Sequence, residues 1–432
     1  MVCRMKTRGS HDNLMSQRWR IAAAAVLMQL CLGTVYAWSI FKKPMMVSNG
    51  WGETQTQSAF MVYGFVFALA VAFGGTLVDR LGPRVVALTG GTLFSIGVLL
   101  GGLANHLRSI GLLVVAYGLV GGLGGGFGYV TPIATLIRWF PDKRGLVTGL
   151  AVMGYGLGAF IMGNIGPSLI MSLGIPDTFY LWGALSMAVI LPVAVALRNP
   201  PADWHRSISL PASDIDGIPS TTFSEAVHTG RFWILWTMLF VSITAGLGLI
   251  SQLSPMAQDV MMRAAPGVMI GERMKTIVLV SGTIVAVAGL FNGLGRLAWA
   301  WASDIWGRKA VFAVIFLSFA LGLPLLAHIR TIPAFAGLTF YLLACYGGTM
   351  ASMPALTADE FGHENIGRIY GAVFTASCLA SICGPYIFAS IKELTGGFTW
   401  ALYAESCLAA LGLFLVVALK KVGGKAPGTA PS

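Results

Sequence analysis

The sequence predicts an all-α integral membrane protein, with twelve transmembrane helices in two pseudo-symmetric six-helix bundles. Three observations predict it. Of the 432 residues, 56% are hydrophobic and 10% charged, where soluble domains carry roughly 25% charged residues. Apolar stretches long enough to cross a hydrocarbon layer about 30 Å thick begin near Ile21, Ser58, Val85, Ile110, Leu146, Thr178, Phe232, Ile277, Val311, Ile332, Ile369 and Thr399. Three short texts from the first half return in the second at an offset of about 220 residues, the mark of a duplicated unit.

Taken in order, residues 1–20 form a basic N-terminal segment carrying Arg4, Lys6, Arg8, Arg18 and Arg20. No small-residue cleavage site follows the first apolar run, so no removable signal peptide is expected. The first span ends in GTVYAWSIFKKP, which places Tyr36 and Trp38 close to the outer surface. The second is followed by GTLVDRLGPR, and the eighth by AWASDIWGRK; Asp79 matches Asp304, Gly82 matches Gly307, and Arg84 matches Lys309. Pro132 and Phe140 match Pro354 and Phe361, and Gly166-Pro167 matches Gly384-Pro385. Residues 21–197 and 232–419 are therefore read as the two bundles. The polar stretch 198–231, with PPAD, SDIDG and PSTT, reads as a cytoplasmic linker, and 420–432 as a disordered cytoplasmic tail.

A net charge of +11 raises the question of nucleic acid, but the placement of the charges answers it. With the N-terminus in the cytoplasm, 19 of the 28 Lys and Arg fall on the inner face, 8 on the outer face and Arg296 in between. That is the positive-inside bias, and it predicts a multi-pass protein of the cell (inner) membrane with both termini cytoplasmic and no nucleic-acid partner; separately, a monomer is expected. The six cysteines show no CxxC and no metal spacing, so they read as packing residues; no metal and no cofactor are expected.

One charge stands out. The stretch Ile277 to Trp301 is 25 residues long and holds a single ionisable group, Arg296. Eight residues before Asp304, it lies roughly 12 Å inside the membrane edge. A guanidinium at that depth costs at least about 2.5 kcal/mol and normally faces a protein cavity with a partner. Asn292, one turn earlier on the same face, can orient it but not neutralise it. Two partners fit: an anionic substrate, or a carboxylate from another helix. Counting from the cytoplasmic loops brings Tyr129, Tyr155 and Ser377 to within a few Å of the same depth, with Tyr346 slightly further out. A carboxylate can take two N–H bonds from the guanidinium fork. Tyr129, Tyr346, Phe374 and Ser377 are the expected wall.

The Asp-Arg-x-Gly-x-Arg loop and its copy, twelve spans, two halves and a central linker together resemble the major facilitator superfamily. The resemblance implies that Asp79, Arg80 and Arg84, and Asp304, Arg308 and Lys309, form cytoplasmic charge relays that latch one alternating conformation. Ala300 in place of Gly, and Pro83 in place of a basic residue, depart from the pattern. A closer likeness lies in YAWSIF (36–41), GYVTPIATLIRWFPDKRGLVTGLAVMGYGLGA (128–159), NGLGR (292–296) and ADEFG (358–362). These are similar to the oxalate/formate antiporter family and related monocarboxylate (lactate) transporters.

That likeness implies a second buried cation, a lysine on helix 11, where this chain has Ser377. One cation balances a monoanion and leaves a dianion half compensated. In related lactate transporters a lysine near Lys392 attracts substrate; the simpler reading of Lys392, about 21 Å beyond Cys378, is an interface anchor. Animal monocarboxylate transporters carry Asp where Asn292 stands, so proton coupling must lie elsewhere or ride on the substrate. Glu405, about 9 Å past Thr399, is the acid within a span: it is either a proton site or a group facing water, the latter being the simpler expectation. Tyr36, Lys392 and Glu405 are thus the access or coupling candidates.

The expected function is secondary transport of a small monocarboxylate such as lactate, pyruvate or formate by alternating access, with H+ as a co-substrate or by anion exchange. The partners are that carboxylate anion and the lipid bilayer. Oxalate/formate exchange is the nearest rival, and a membrane sensor that binds the anion without moving it is the rival of another class. GGLGGGFG at 121–128 lies within an apolar helix and lacks GKS or GKT, so it is not a phosphate loop. No enzyme constellation is found.

Overall fold

The structure, a computed structural model, describes residues 2–140, 144–201, 204, 221–264, 270–362 and 365–423. Among them, twelve helices are long and apolar enough to cross a membrane. In the first half these are α1 (Leu14–Ala37), α2 (Glu53–Leu81), α3 (Pro83–His106), α4 (Ile110–Trp139), α5 (Gly149–Leu173) and α6 (Ile175–Ala196). In the second they are α7 (Gly230–Arg263), α8 (Gly271–Trp306), α9 (Arg308–His328), α10 (Ile332–Phe361), α11 (Ile366–Thr395) and α12 (Thr399–Leu419). The chain is helical from Val2, so the basic N-terminal segment runs on into α1. Much of 198–231, and the residues from 424 on, lie outside the described residues. Helix continues to Gly423, past the point where the disordered tail was expected to begin.

The duplication is visible in the backbone. Gly82 and Gly307 both adopt left-handed φ, at +81° and +85°, a conformation in which a side chain is strained. Each ends one helix and starts the next within a single residue, so the chain reverses sharply there, and α3 and α9 pack mainly on α6 and α12. We refer to the face with these loops and the 198–231 stretch as the linker face, and to its opposite as the far face.

Without a hydrophobic drive between helices in lipid, close approach depends on small residues. The two halves meet along α5 with α8 and along α2 with α11. A Cβ on Gly156 would strike the backbone of Gly289, and one on Gly64 would press on the Ser381 side chain. Within the second half, Gly295 and Gly347 let α8 lie directly on α10, against the backbone of Ala344 and Asn292 respectively. This close contact fixes the rotation of α8 and so the direction of Arg296.

The first relay loop is tied differently from expectation, while the second keeps an Asp–Arg pair within the loop. Asp79 pairs with Arg138 at the end of α4, and Arg84 Nε donates to the Val195 carbonyl at 2.8 Å; neither arginine of the loop pairs with Asp79. In the copy, Arg308 bonds Asp359 at 2.7 Å and Asp304 at 3.4 Å, and Lys309 bonds Glu360 at 2.7 Å. Each loop is thus anchored to the fourth helix of its own half, and the partners Arg138, Asp359 and Glu360 complete what the loop text alone left open. The loop supplies the acid in one half and the base in the other.

The far face is closed by ion pairs between the halves. Lys42, fully buried on the helix Ser39–Asn49, pairs with Glu53 and donates to Gln252 Oε1 of α7 at 2.7 Å. Lys43 meets Asp259 of α7 at 2.9 Å. Lys392 of α11 meets Glu53 at 3.1 Å and Asp259 at 3.9 Å, and lies 4.2 Å from the centre of the Phe398 ring. Among the described residues, ion pairs between halves occur on this face, while those of the linker face stay within one half.

Candidate functional site

Arg296 projects from α8 into a cavity between the halves with an empty volume of about 620 Å³, counted with the space open at its mouth. The guanidinium is 5% exposed. Its Nη1 donates to the Tyr129 hydroxyl at 3.4 Å and its Nη2 to Asn292 Oδ1 at 3.5 Å, both long bonds, and its Nε has no partner. None of the ion pairs among the described residues includes it. A cation held in low dielectric by two long bonds to neutral groups has unused capacity for an anion.

Asn292 is the positioning group. Its Nδ2 donates to the Leu343 carbonyl on α10 at 3.1 Å, which turns Oδ1 toward the arginine one helical turn on. Tyr129, Tyr346, Phe374 and Ser377 all line the cavity. The Ser377 hydroxyl is buried with no hydrogen-bond partner. It stands two residues past Thr375, where the hydrogen bonds of α11 tighten to an i→i+3 pattern while the backbone stays right-handed helical.

Tyr36 is not near the outer surface. The chain continues past it as a short turn and the helix Ser39–Asn49, so Tyr36 sits deep enough for its hydroxyl to lie 3.5 Å from that of Tyr346, with its ring edge-on to Tyr155 at 4.9 Å. It belongs to the cavity wall. Lys392 is not an interface anchor: its side chain is 11% exposed and held in the far-face ion cluster. Glu405 does not face water: it is fully buried, away from the cavity lining.

The residues the sequence missed are mostly aromatic and apolar. Tyr63 and Phe67 of α2, Ile243 and Leu247 of α7, and Met350 of α10 complete the wall. The Phe67 ring lies 5.3 Å from that of Tyr129, which in turn meets Tyr155 edge-on at 5.4 Å. The repeat register held the clue: Phe67 precedes Asp79 by twelve residues, as Asn292 precedes Asp304. The cavity thus offers one fork of donors, a few hydroxyls and an otherwise apolar lining. Such a site suits a small anion with one charge. Among the described residues, no group of His, Cys, Asp and Glu is arranged to hold a metal ion.

Comparison with known proteins gives the same direction. The model of the Major Facilitator Superfamily matches residues 22–262 and 253–431. An oxalate:formate antiporter of Oxalobacter formigenes is 29% identical, over 90% of this chain and 88% of its own length. The apicoplast pyruvate carrier 1 of Toxoplasma gondii is 24% identical over 91% of this chain and 87% of its own. Monocarboxylate transporter 13 of Bos taurus is 23% identical over 76% and 71%.

Proposed function

Because the chain belongs to the major facilitator superfamily, we propose that it is a secondary transporter of a small monocarboxylate, of the size of lactate, pyruvate or formate, working by alternating access. The observation that carries the reading is the buried, acid-free Arg296 on the wall of a cavity between the halves. The carboxylate takes both Nη donors, displacing the long contacts to Tyr129 and Asn292, and its uncharged remainder lies against the aromatic wall. The bound pair is neutral and can rest at a depth where a bare anion would not, while access to it switches from one face to the other. The halves rock about α2, α5, α8 and α11, with the far face shut by the Lys42, Glu53, Asp259 and Lys392 cluster. The lysine and arginine bias supports a cytoplasmic linker face and an outer far face, in the cell membrane. The 198–231 stretch joins two six-helix bundles, and the chain works as a monomer, as a proton symporter or an anion exchanger, and not as an enzyme.

Oxalate/formate exchange is favoured by the likeness to the Oxalobacter antiporter. Ser377, a neutral group where a second cation would be needed, weighs toward the monoanion. Uptake of labelled lactate and formate by proteoliposomes, with unlabelled oxalate as competitor, tests both. Saturable monocarboxylate uptake that oxalate leaves untouched is the expected result. Oxalate competing as well as formate replaces it with the second reading, and no uptake of any of the three overturns both.

A further inference from the structure

Glu405 is out of place. It lies about 9 Å along α12 from Thr399, with no exposed surface, and neither carboxyl oxygen has a hydrogen-bond partner among the described residues. An ionised carboxylate in such a setting is costly, whereas the neutral acid carries no charge to desolvate. Helix α12 packs on α9, α7 and α11. The neighbouring residue Ser406 spends its hydroxyl on the Ala320 carbonyl of α9 and leaves Glu405 unsupported.

The ionisable groups on the outer parts of these helices are few. On α11 they are Cys383, within electrostatic reach of Glu405, and Lys392 and Glu393; on α7, Asp259 and Arg263; on α9, His328, whose ring is bonded to the Tyr403 hydroxyl at 2.6 Å. Lys392 and Asp259 are engaged at the far face, and Glu393 holds Thr54. No cation among the ion pairs of the described residues balances Glu405.

A crevice ends one turn short of the group. This crevice, of about 340 Å³, enters from the far face between α7, α9, α10 and α12. Asp259 and Arg263 line it, and its deepest α12 residue is Leu402, one turn from Glu405 on the same side of the helix. Asp259 also belongs to the ion cluster that shuts this face. Parting of that cluster therefore moves the wall of the crevice that ends at buried Leu402, one turn from the acid.

We propose that Glu405 is a proton-binding site loaded from the far face, and that its neutral form is what allows this face to close. Protonation on the outside then favours the closed arrangement described here, and an ionised Glu405 holds the face open. Transport depends on external protons through this one residue, whichever monocarboxylate is carried; only the transport assay rests on the function proposed above.

Two measurements test it. Wild-type counterflow of labelled lactate, with internal pH fixed, falls about fivefold or more as external pH rises from about 5.5 to 7.5, while Glu405→Gln, a permanently neutral stand-in, keeps its low-pH rate throughout. Independently of transport, a hydrophobic carbodiimide, which adds across the O–H of a neutral acid, labels Glu405 in the wild type, with labelling that falls as pH rises. Should the glutamine variant fold poorly, Glu405→Met replaces it. A variant that retains the wild-type pH dependence, or labelling that is absent or independent of pH, overturns the proposal. Loss of lactate counterflow in the wild type at every pH, with pH-dependent labelling intact, instead overturns the choice of cargo and leaves the proton site standing.

Discussion

Asn292 holds Arg296 from one helical turn away while its amide is pinned to the Leu343 carbonyl, so the guanidinium is aimed by a group that cannot cancel its charge. Asn292→Asp adds the missing negative charge at the same distance. A resident carboxylate then competes with cargo for the fork, and substrate affinity falls at least about tenfold near neutral pH. Substrate competition in a binding or uptake assay measures it; unchanged affinity contradicts the assigned role of Arg296.

Arg296→Ala removes the anchor altogether. Uptake is expected to fall by about two orders of magnitude or more, as for a buried charged hydrogen-bonding group lost from a site. The melting profile should hold or rise, since a costly buried cation is also gone. Arg296→Lys retains charge without the fork and falls between the two.

Ser377→Lys places an ammonium on the wall of the cavity that holds the arginine. The variant should gain competition by oxalate and lose preference for monoanions, because two cations leave a monoanion with surplus positive charge. Competition curves for oxalate against formate check it.

The far-face cluster has a pH signature. Burial pushes the Lys42 ammonium down to about 8, and Glu53 offsets only part of that. When the face opens, Lys42 returns toward its ordinary value of about 10.4. Between these values the open form holds more protons, so raising pH through that window favours closure. Spin-label distances between the helix Ser39–Asn49 and the outer end of α7, read in a Glu405→Gln background so that the acid contributes no titration, should shorten from about pH 7.5 to 10 and change less when Lys42→Met is added. Lengthening over that range contradicts the sign.

Much of this was legible in the sequence, for physical reasons. The spans were readable because lipid forces every backbone group into a helix and demands about 20 apolar residues for each. Arg296 was readable because a charge among 25 apolar residues is costly, and depth followed from a fixed rise per residue. The placement of Tyr36 failed because the count stopped at an assumed membrane edge, whereas the chain runs on through the helix Ser39–Asn49. Lys392 and Glu405 failed for another reason. Whether a charge meets water, a partner or nothing depends on neighbours distant in the chain, here Glu53 and Asp259 for the lysine. Aromatic wall residues such as Phe67 carry no chemistry that sets them apart from packing, and only the repeat register distinguishes them.

The Tyr346 ring lies flat on bare Gly246, so close that a methyl group there would collide with it. The one way for such a ring to yield is forward, into the hollow that receives the cargo. A single carbon atom behind the tyrosine, far from any polar contact, would therefore act as a wedge that shallows the receptacle. If the cavity takes the cargo proposed above, the residue behind the wall bears on its size as the residues that form it do.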